Sequence, residues 1–258
     1  MKQTYGNSIT VMQTGARAVV RFDRGANRNA IDQDALLALT EVAHDLADDI
    51  DIHTVVLRGA DDIFSAGIDL KDPQKWQEEN EALLVRRAMA QRGARLCHLW
   101  ESLPQLTVAS IEGAAVGGSV ALALACDWRV MSEDAFFYLP ETKVGLNMGW
   151  GAIPRVVALV GPARAKRMIL TAQRMPGQQA LDWGLADALT APGDAEKEAH
   201  ALLDAASVTP PALMRMTKEA INANATALNH LGIYMDADQA LVCRDSTEGK
   251  AARDAFLK

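Results

Sequence analysis

Two glycine-bearing junctions constrain this chain more than any other feature: Phe64-Ser65-Ala66-Gly67-Ile68-Asp69-Leu70 and Gly113-Ala114-Ala115-Val116-Gly117-Gly118-Ser119. Each follows an apolar run that reads as a short buried strand. Thr54-Val55-Val56-Leu57, closed by Gly59, leads to the first, and Val108-Ala109-Ser110-Ile111 leads to the second. Where a strand gives way to a loop or a helix start, backbone N–H groups lack an intrahelical acceptor and can point into a cleft. Gly117-Gly118 opens a helix through Val120, Leu122 and Leu124 that is apolar nearly all round, which places it at a domain centre.

The flanking pattern extends this into an α/β layered core. Ile9-Thr10-Val11-Met12 and Ala18-Val19-Val20-Arg21-Phe22 flank Gly15 and read as a hairpin. A helix follows, capped by Asp32 or Asp34, with Leu36, Leu39, Val42, Ala43 and Leu46 on one face. From Lys71 to about Arg95 the chain is polar, and a mobile loop leading into an exposed helix over the cleft is expected. After Ala195 the pattern is wholly helical: 195 to 206, 211 to 223 and 226 to 243, the last striped by Leu228, Leu231, Tyr234, Ala237 and Leu241. The expected organisation is an active-site core over 1–194 and a helical oligomerisation region over 195–258.

With 258 residues and 49% hydrophobic content the chain can bury a full core. A net charge of -7, with its 26 Lys and Arg scattered, argues against a nucleic-acid partner, so any anionic ligand must be held locally. Cys97, Cys126 and Cys243 are far apart in apolar surroundings, which disfavours a disulfide framework or zinc site. His44, His53, His98, His200 and His230 show no metal spacing. The N-terminus lacks a signal-peptide pattern and no apolar run approaches a membrane span, so a cytoplasmic protein without membrane association is expected.

Developing negative charge would be stabilised beside Gly117-Gly118, by free N–H groups and the positive end of a helix dipole. Paired glycines also occur where backbones pack closely, and only the companion junction at Ser65 to Asp69 favours the donor reading. A base must create that charge. In Leu139-Pro140-Glu141-Thr142-Lys143-Val144-Gly145 a carboxylate follows the apolar run Ala135-Phe136-Phe137-Tyr138. In an apolar cleft Glu141 would have a raised pKa and could shuttle a proton; the alternative is a solvated loop glutamate paired with Lys143.

These residues resemble the crotonase family, the enoyl-CoA hydratase/isomerases. The resemblance rests on Phe64 to Leu70, on Gly113 to Arg129 ending in Ala125-Cys126-Asp127-Trp128-Arg129, and on Pro140-Glu141 through Gly145. Arg28-Asn29-Ala30-Ile31, Ala180-Leu181-Asp182-Trp183-Gly184-Leu185-Ala186 and Glu248-Gly249 match further family blocks in order, so the likeness covers roughly residues 10 to 255. It implies a spiral of ββα units followed by helices that form trimers or dimers of trimers. It also implies a coenzyme A thioester as substrate, with no separate cofactor and no metal. The catalytic groups it implies are the N–H groups of Ile68 and Gly118, as an oxyanion hole, and the Glu141 carboxylate. Implied substrate contacts are Ala66 beside the adenine, Gly67, Gly117, and Asp69, Leu70 and Lys71 along the acyl-CoA channel. Arg28 and Lys71 are phosphate partners by the same resemblance, or ordinary solvated cations. Trp150 shapes the acyl pocket or belongs to the core.

The chain departs from the family's hydratases at one point. They carry two glutamates, and the position of the first is Ala121 here, leaving Glu141 alone. Hydration shares its work between two carboxylates, whereas moving a double bond needs one base that removes a proton and returns it. The expectation is therefore isomerisation of a 3-enoyl-CoA to the 2-enoyl isomer. Enoyl-CoA hydratase is the alternative, and an acyl-CoA-binding protein with little catalysis a second.

Overall fold

The computed structural model describes residues 1–73 and 81–257. In chain order the elements are β1 (Lys2–Tyr5), β2 (Ile9–Thr14), β3 (Arg17–Phe22), α1 (Gln33–Asp48), β4 (Thr54–Arg58), α2 (Leu83–Ala90), α3 (Arg92–Glu101), β5 (Leu106–Ile111), β6 (Ala114–Val116) and α4 (Gly118–Ala123). Then follow β7 (Trp128–Ser132), β8 (Phe136–Tyr138), α5 (Ala152–Thr171), β9 (Met175–Pro176), α6 (Gly177–Trp183) and β10 (Ala188–Thr190). A helical tail comprises α7 (Ala195–Ala206), α8 (Pro211–Ala225), α9 (Asn229–Ile233), α10 (Asp236–Asp245) and α11 (Thr247–Leu257).

The large sheet has the order β1-β2-β3-β4-β5-β7-β10, antiparallel as far as β3 and parallel beyond it. A small sheet, β6-β8-β9, lies apart from it. After β5 and again after β7 the chain leaves the large sheet and adds a short strand to the small one. Side chains alternate across the large sheet, as strand geometry requires. Val55, Leu57, Ala109 and Ile111 belong to the main core with α1, α3 and α4. Val56, Leu106, Val108 and Val130 face Ala195, Ala199 and Leu203 of α7 and Met214 of α8. Covered on both faces, β5 is buried along its whole length, and each fully buried aliphatic side chain there contributes roughly 1.5–3 kcal/mol.

The expected hairpin forms as β2 and β3, with Ile9 opposite Phe22. Strand β1 is not foreshadowed: Lys2, Gln3 and Thr4 are exposed and the segment is held only as an edge. Of the two candidate caps for α1, Asp32 accepts the Ala35 N–H at 2.8 Å, while Asp34 binds Asn7 instead. In the polar stretch after Lys71, residues 74–80 lie outside the described residues. Beyond them α2 buries no side chain, and Arg86 and Arg87 tie it to Asp245 and Asp238 of α10.

The helix expected over 226–243 is instead two helices, broken at Tyr234 and Met235. The stripe divides accordingly: Leu228, Leu231 and Tyr234 are exposed, Ala237 and Leu241 buried. The physical reason is Asp236, which turns inward to accept the Gly151 N–H at 2.8 Å and so fixes the start of α10. Helix α5 is kinked at Gly161, whose φ of 75° precedes Pro162. Among the described residues no helix is long and apolar enough to cross a membrane.

Candidate active site

The two glycine junctions meet. Ser65 and Ala115 form an isolated parallel bridge, and Ser119 Oγ donates to Ser65 O at 3.1 Å while accepting the Val116 N–H at 2.8 Å. A Cβ at Gly67, whose φ is +83°, would collide with the Val116 carbonyl, so only glycine lets the loops close on each other. A second bridge joins Ile31 to Ile68. In it the Ile31 N–H donates to Gly67 O at 2.7 Å and the Asp69 N–H to Ile31 O at 2.8 Å. Alternation along the strand then turns the Ile68 N–H away from Ile31, and among the described residues it meets no acceptor. At the other junction the Gly117 N–H is taken by Tyr138 O at 2.8 Å, and Gly118, the first residue of α4, has an N–H with no acceptor among the described residues.

Glu141 begins a short 3-10 turn, Glu141–Val144, after β8. Gly145 closes the turn with φ +71° and packs against the backbone of Gly249, which explains the Glu248-Gly249 block: α11 backs the loop that carries the carboxylate. Glu141 Oε2 is buried without a hydrogen-bond partner, and a Cβ at Gly117 would stand 2.5 Å from Oε1. Burial pushes the carboxyl up to about 7, which its own backbone N–H only partly opposes. The pairing with Lys143 does not form; that ammonium donates to Ala172 O at 3.0 Å and lies over the Tyr138 ring.

Two cavities share Ile68, Gly118, Glu141 and Leu146. The inner one, about 160 Å³, is walled by Leu36, Met89, Met148, Trp150 and Leu241. The outer one, about 600 Å³, takes in the remaining anticipated residues: Arg28, Ala66, Gly67, Asp69, Leu70, Lys71 and Gly117. Asp69 lines this cavity with its carboxylate already engaged. Its buried carboxylate is taken up by Arg24 Nη1 at 2.8 Å and the Lys71 N–H at 2.9 Å, so it braces the channel wall and carries no free charge. Burial alone would raise that carboxyl, but Arg24, Lys71 and Asn27 together hold it below its usual range.

Trp150 lines the inner cavity and also packs on the core. It sits at φ +60° between Gly149 and Gly151, an unusual conformation for a bulky residue. Arg155, itself held by Glu101 at 2.8 and 2.9 Å, donates to the Trp150 carbonyl. The indole fills the space that a Cβ at Gly93 would need and lies 3.0 Å from the Cβ position of Gly118, beside the free N–H.

Two residues that shape the site, Asn29 and Arg174, are not singled out by the sequence. Asn29 is buried and donates to Phe22 O at 2.9 Å and Phe64 O at 2.8 Å, anchoring the first junction. With Asn27 and Arg28 it forms a left-handed turn that presents Arg28 O to the Ala66 N–H at 3.0 Å and leaves the Arg28 side chain exposed. Arg174, stacked on Phe136, adds a third cation to the outer cavity. Asn29 lies in a quoted block, but nothing in the sequence separates Arg174 from other surface arginines.

The enoyl-CoA hydratase/isomerase family model matches residues 13–257. The chain belongs to the enoyl-CoA hydratase/isomerase family. The mitochondrial enoyl-CoA hydratase domain-containing protein 2 of Bos taurus is 32% identical over 91% of this chain and 80% of its own length. The short-chain-enoyl-CoA hydratase of Clostridium acetobutylicum is 28% identical over 98% and 95%. A crystal structure of an enoyl-CoA hydratase from Mycobacterium avium subsp. paratuberculosis superposes with a TM-score of 0.86 at 27% identity, covering 98% of this chain and 96% of that one. The alternation between two sheets with a helical tail is thus the crotonase fold, and an acyl-CoA substrate goes with membership of this enoyl-CoA family.

Proposed function

We propose that the protein isomerises a CoA-linked 3-enoyl ester to its 2-enoyl isomer with Glu141 as the one proton shuttle. The observation that carries this reading is the raised carboxyl of Glu141, set with Ile68 and Gly118 in the lining of both cavities, together with a buried Ala121. Glu141 stands where the two cavities meet, whereas Ala121 is fully buried in the core and lines neither cavity. In this reading the adenine and phosphates occupy the outer cavity near Ala66, Arg28, Lys71 and Arg174, and the acyl group passes Glu141 into the inner one. Glu141 takes a proton from C2, and the electron pair moves onto the thioester oxygen, which accepts hydrogen bonds from the Ile68 and Gly118 N–H groups. The charge delocalised over the dienolate then takes the same proton back at C4. Burial favours the neutral carboxyl between the two transfers and so keeps the proton at hand.

Hydration is the rival reading, and the names of the relatives above favour it. Assaying one preparation with a 3-enoyl-CoA and with crotonyl-CoA separates them. Isomerisation is expected to exceed hydration, and hydration at an equal or higher rate overturns the single-base reading.

The helices after Ala195 expose Leu213, Met216, Ile221, Leu228, Leu231 and Tyr234, a surface that supports the expected trimer or dimer of trimers. Light scattering is expected to give a multiple of three protomers at micromolar concentration. A stable monomer would remove this region's proposed oligomerising role.

A further inference from the structure

The inner cavity is more polar at its acyl side than an alkyl chain requires. Asp236 and Gln33 each keep only 6% of their surface exposed, and both line this cavity without reaching the outer one. A chain entering from the outer cavity therefore meets them after it has passed Glu141. Asp236 Oδ2 accepts the Gly151 N–H at 2.8 Å, and no group among the described residues donates to Oδ1. Arg155 is committed to Glu101 and to the Trp150 and Gly151 carbonyls, and Arg244 lines the cavity as a second cation. Gln33 Oε1 accepts from Arg92 Nη1 at 2.7 Å. Since a guanidinium only donates, this orients the amide and leaves Nε2 as a donor with no acceptor among the described residues. Beside Glu141, Asn147 and Arg244, the cavity thus carries the Asp236 acceptor and the Gln33 donor inside walls of Leu36, Met89, Met148 and Leu241.

We propose that Asp236 and Gln33 form a hydroxyl-recognition pair, so that this enzyme takes acyl-CoA esters whose acyl group carries a hydroxyl beyond the reacting carbons. A hydroxyl donates one hydrogen bond and accepts others, and so satisfies both groups. An alkyl chain leaves a buried acceptor and a buried donor unpaired, a cost borne by every complex with a plain fatty acyl group. An ammonium leaves the Gln33 amide without an acceptor. Burial pushes the Asp236 carboxyl up despite the Gly151 N–H and Arg155, in keeping with a group that lacks a full set of partners.

This proposal rests on the acyl-CoA reading above, and the test separates the two. Calorimetry measures the affinity of saturated, unreactive ω-hydroxyacyl-CoA esters from butanoyl to hexanoyl length, each against the isostere with methyl in place of hydroxyl. At least one hydroxy ester is expected to bind about ten-fold or more tighter than its isostere, the effect of a hydrogen bond to a charged group. Asp236→Asn keeps an oxygen for the Gly151 N–H but turns a second donor toward the hydroxyl. It and Gln33→Leu are each expected to bring that ratio close to one. Equal or tighter binding of every methyl ester overturns hydroxyl recognition while leaving the acyl-CoA reading intact, and binding of neither series overturns the acyl-CoA reading. Variants that weaken both esters alike with the ratio unchanged would show that Asp236 and Gln33 only position Trp150 and α1, and would equally overturn the proposal.

Discussion

Glu141→Gln is expected to reduce turnover of a CoA-linked enoyl ester by about a thousand-fold, within the range found for a positioned general base, while the affinity for a saturated ester changes little. Gln has the shape of the neutral acid and keeps the packing beside Gly117, but it cannot accept the C2 proton. The pH dependence follows from the same burial. The base must be ionised to act, and its carboxyl is raised to about 7, so kcat/KM of the native protein should climb through that pH and level off above it. Stability should run the opposite way. A carboxyl raised from 4.5 to about 7 favours the folded state fully below 4.5, and that contribution is lost as pH rises through 7. The Gln variant never ionises, so at alkaline pH it should be the more stable protein by up to about 3 kcal/mol. Denaturant melts of both proteins across this range check the sign. An active Gln variant, or an activity profile flat around neutrality, would remove Glu141 from the chemistry.

Gly118→Pro should lose about a hundred- to a thousand-fold in kcat, the usual cost of one oxyanion-hole donor. Gly118 opens α4, and proline is tolerated at a first helical position because the N–H it lacks has no intrahelical acceptor there. The variant should therefore stay folded while its donor is gone. A new Cβ would stand 3.0 Å from the Trp150 ring, a contact the indole must yield to by a few tenths of an ångström. Gly118→Ala brings the same Cβ and keeps the N–H, and should retain most of the activity. Equal losses in the two variants would assign the effect to the displaced indole, and native turnover in Gly118→Pro would show that this N–H holds no charge.

Local patterns were legible where one element settles the outcome. The strands at Thr54 and Val108, the amphipathic face from Leu36 to Leu46, the cap at Asp32 and the glycine-led helix at Gly118 all follow from periodicity, capping and φ preference. The break at Tyr234 was not legible, because Leu228 to Leu241 keeps helical spacing and the helix is interrupted only by the distant contact of Asp236 with Gly151. Strand β1 was illegible for the opposite reason: its residues carry almost no apolar signal, and pairing with β2 alone makes it a strand.

The site divides along the same line. By itself the sequence determined which groups were available: two backbone donors at glycine junctions, one glutamate after an apolar strand and an alanine in place of a second acid. Only the tertiary structure decided that Ser119 fastens one junction to the other, that the indole of Trp150 occupies the space left by Gly93, and that Glu141 Oε2 is shut away from water. It alone set Asp236 and Gln33 into the same small cavity. The physical reason is that a hydrogen-bond donor belongs to a residue and can be read from its type and its neighbours in the chain. Burial, field and shape belong to whatever packs around that residue, and here those partners come from α1, α3, α5, α10 and α11, far away in the chain.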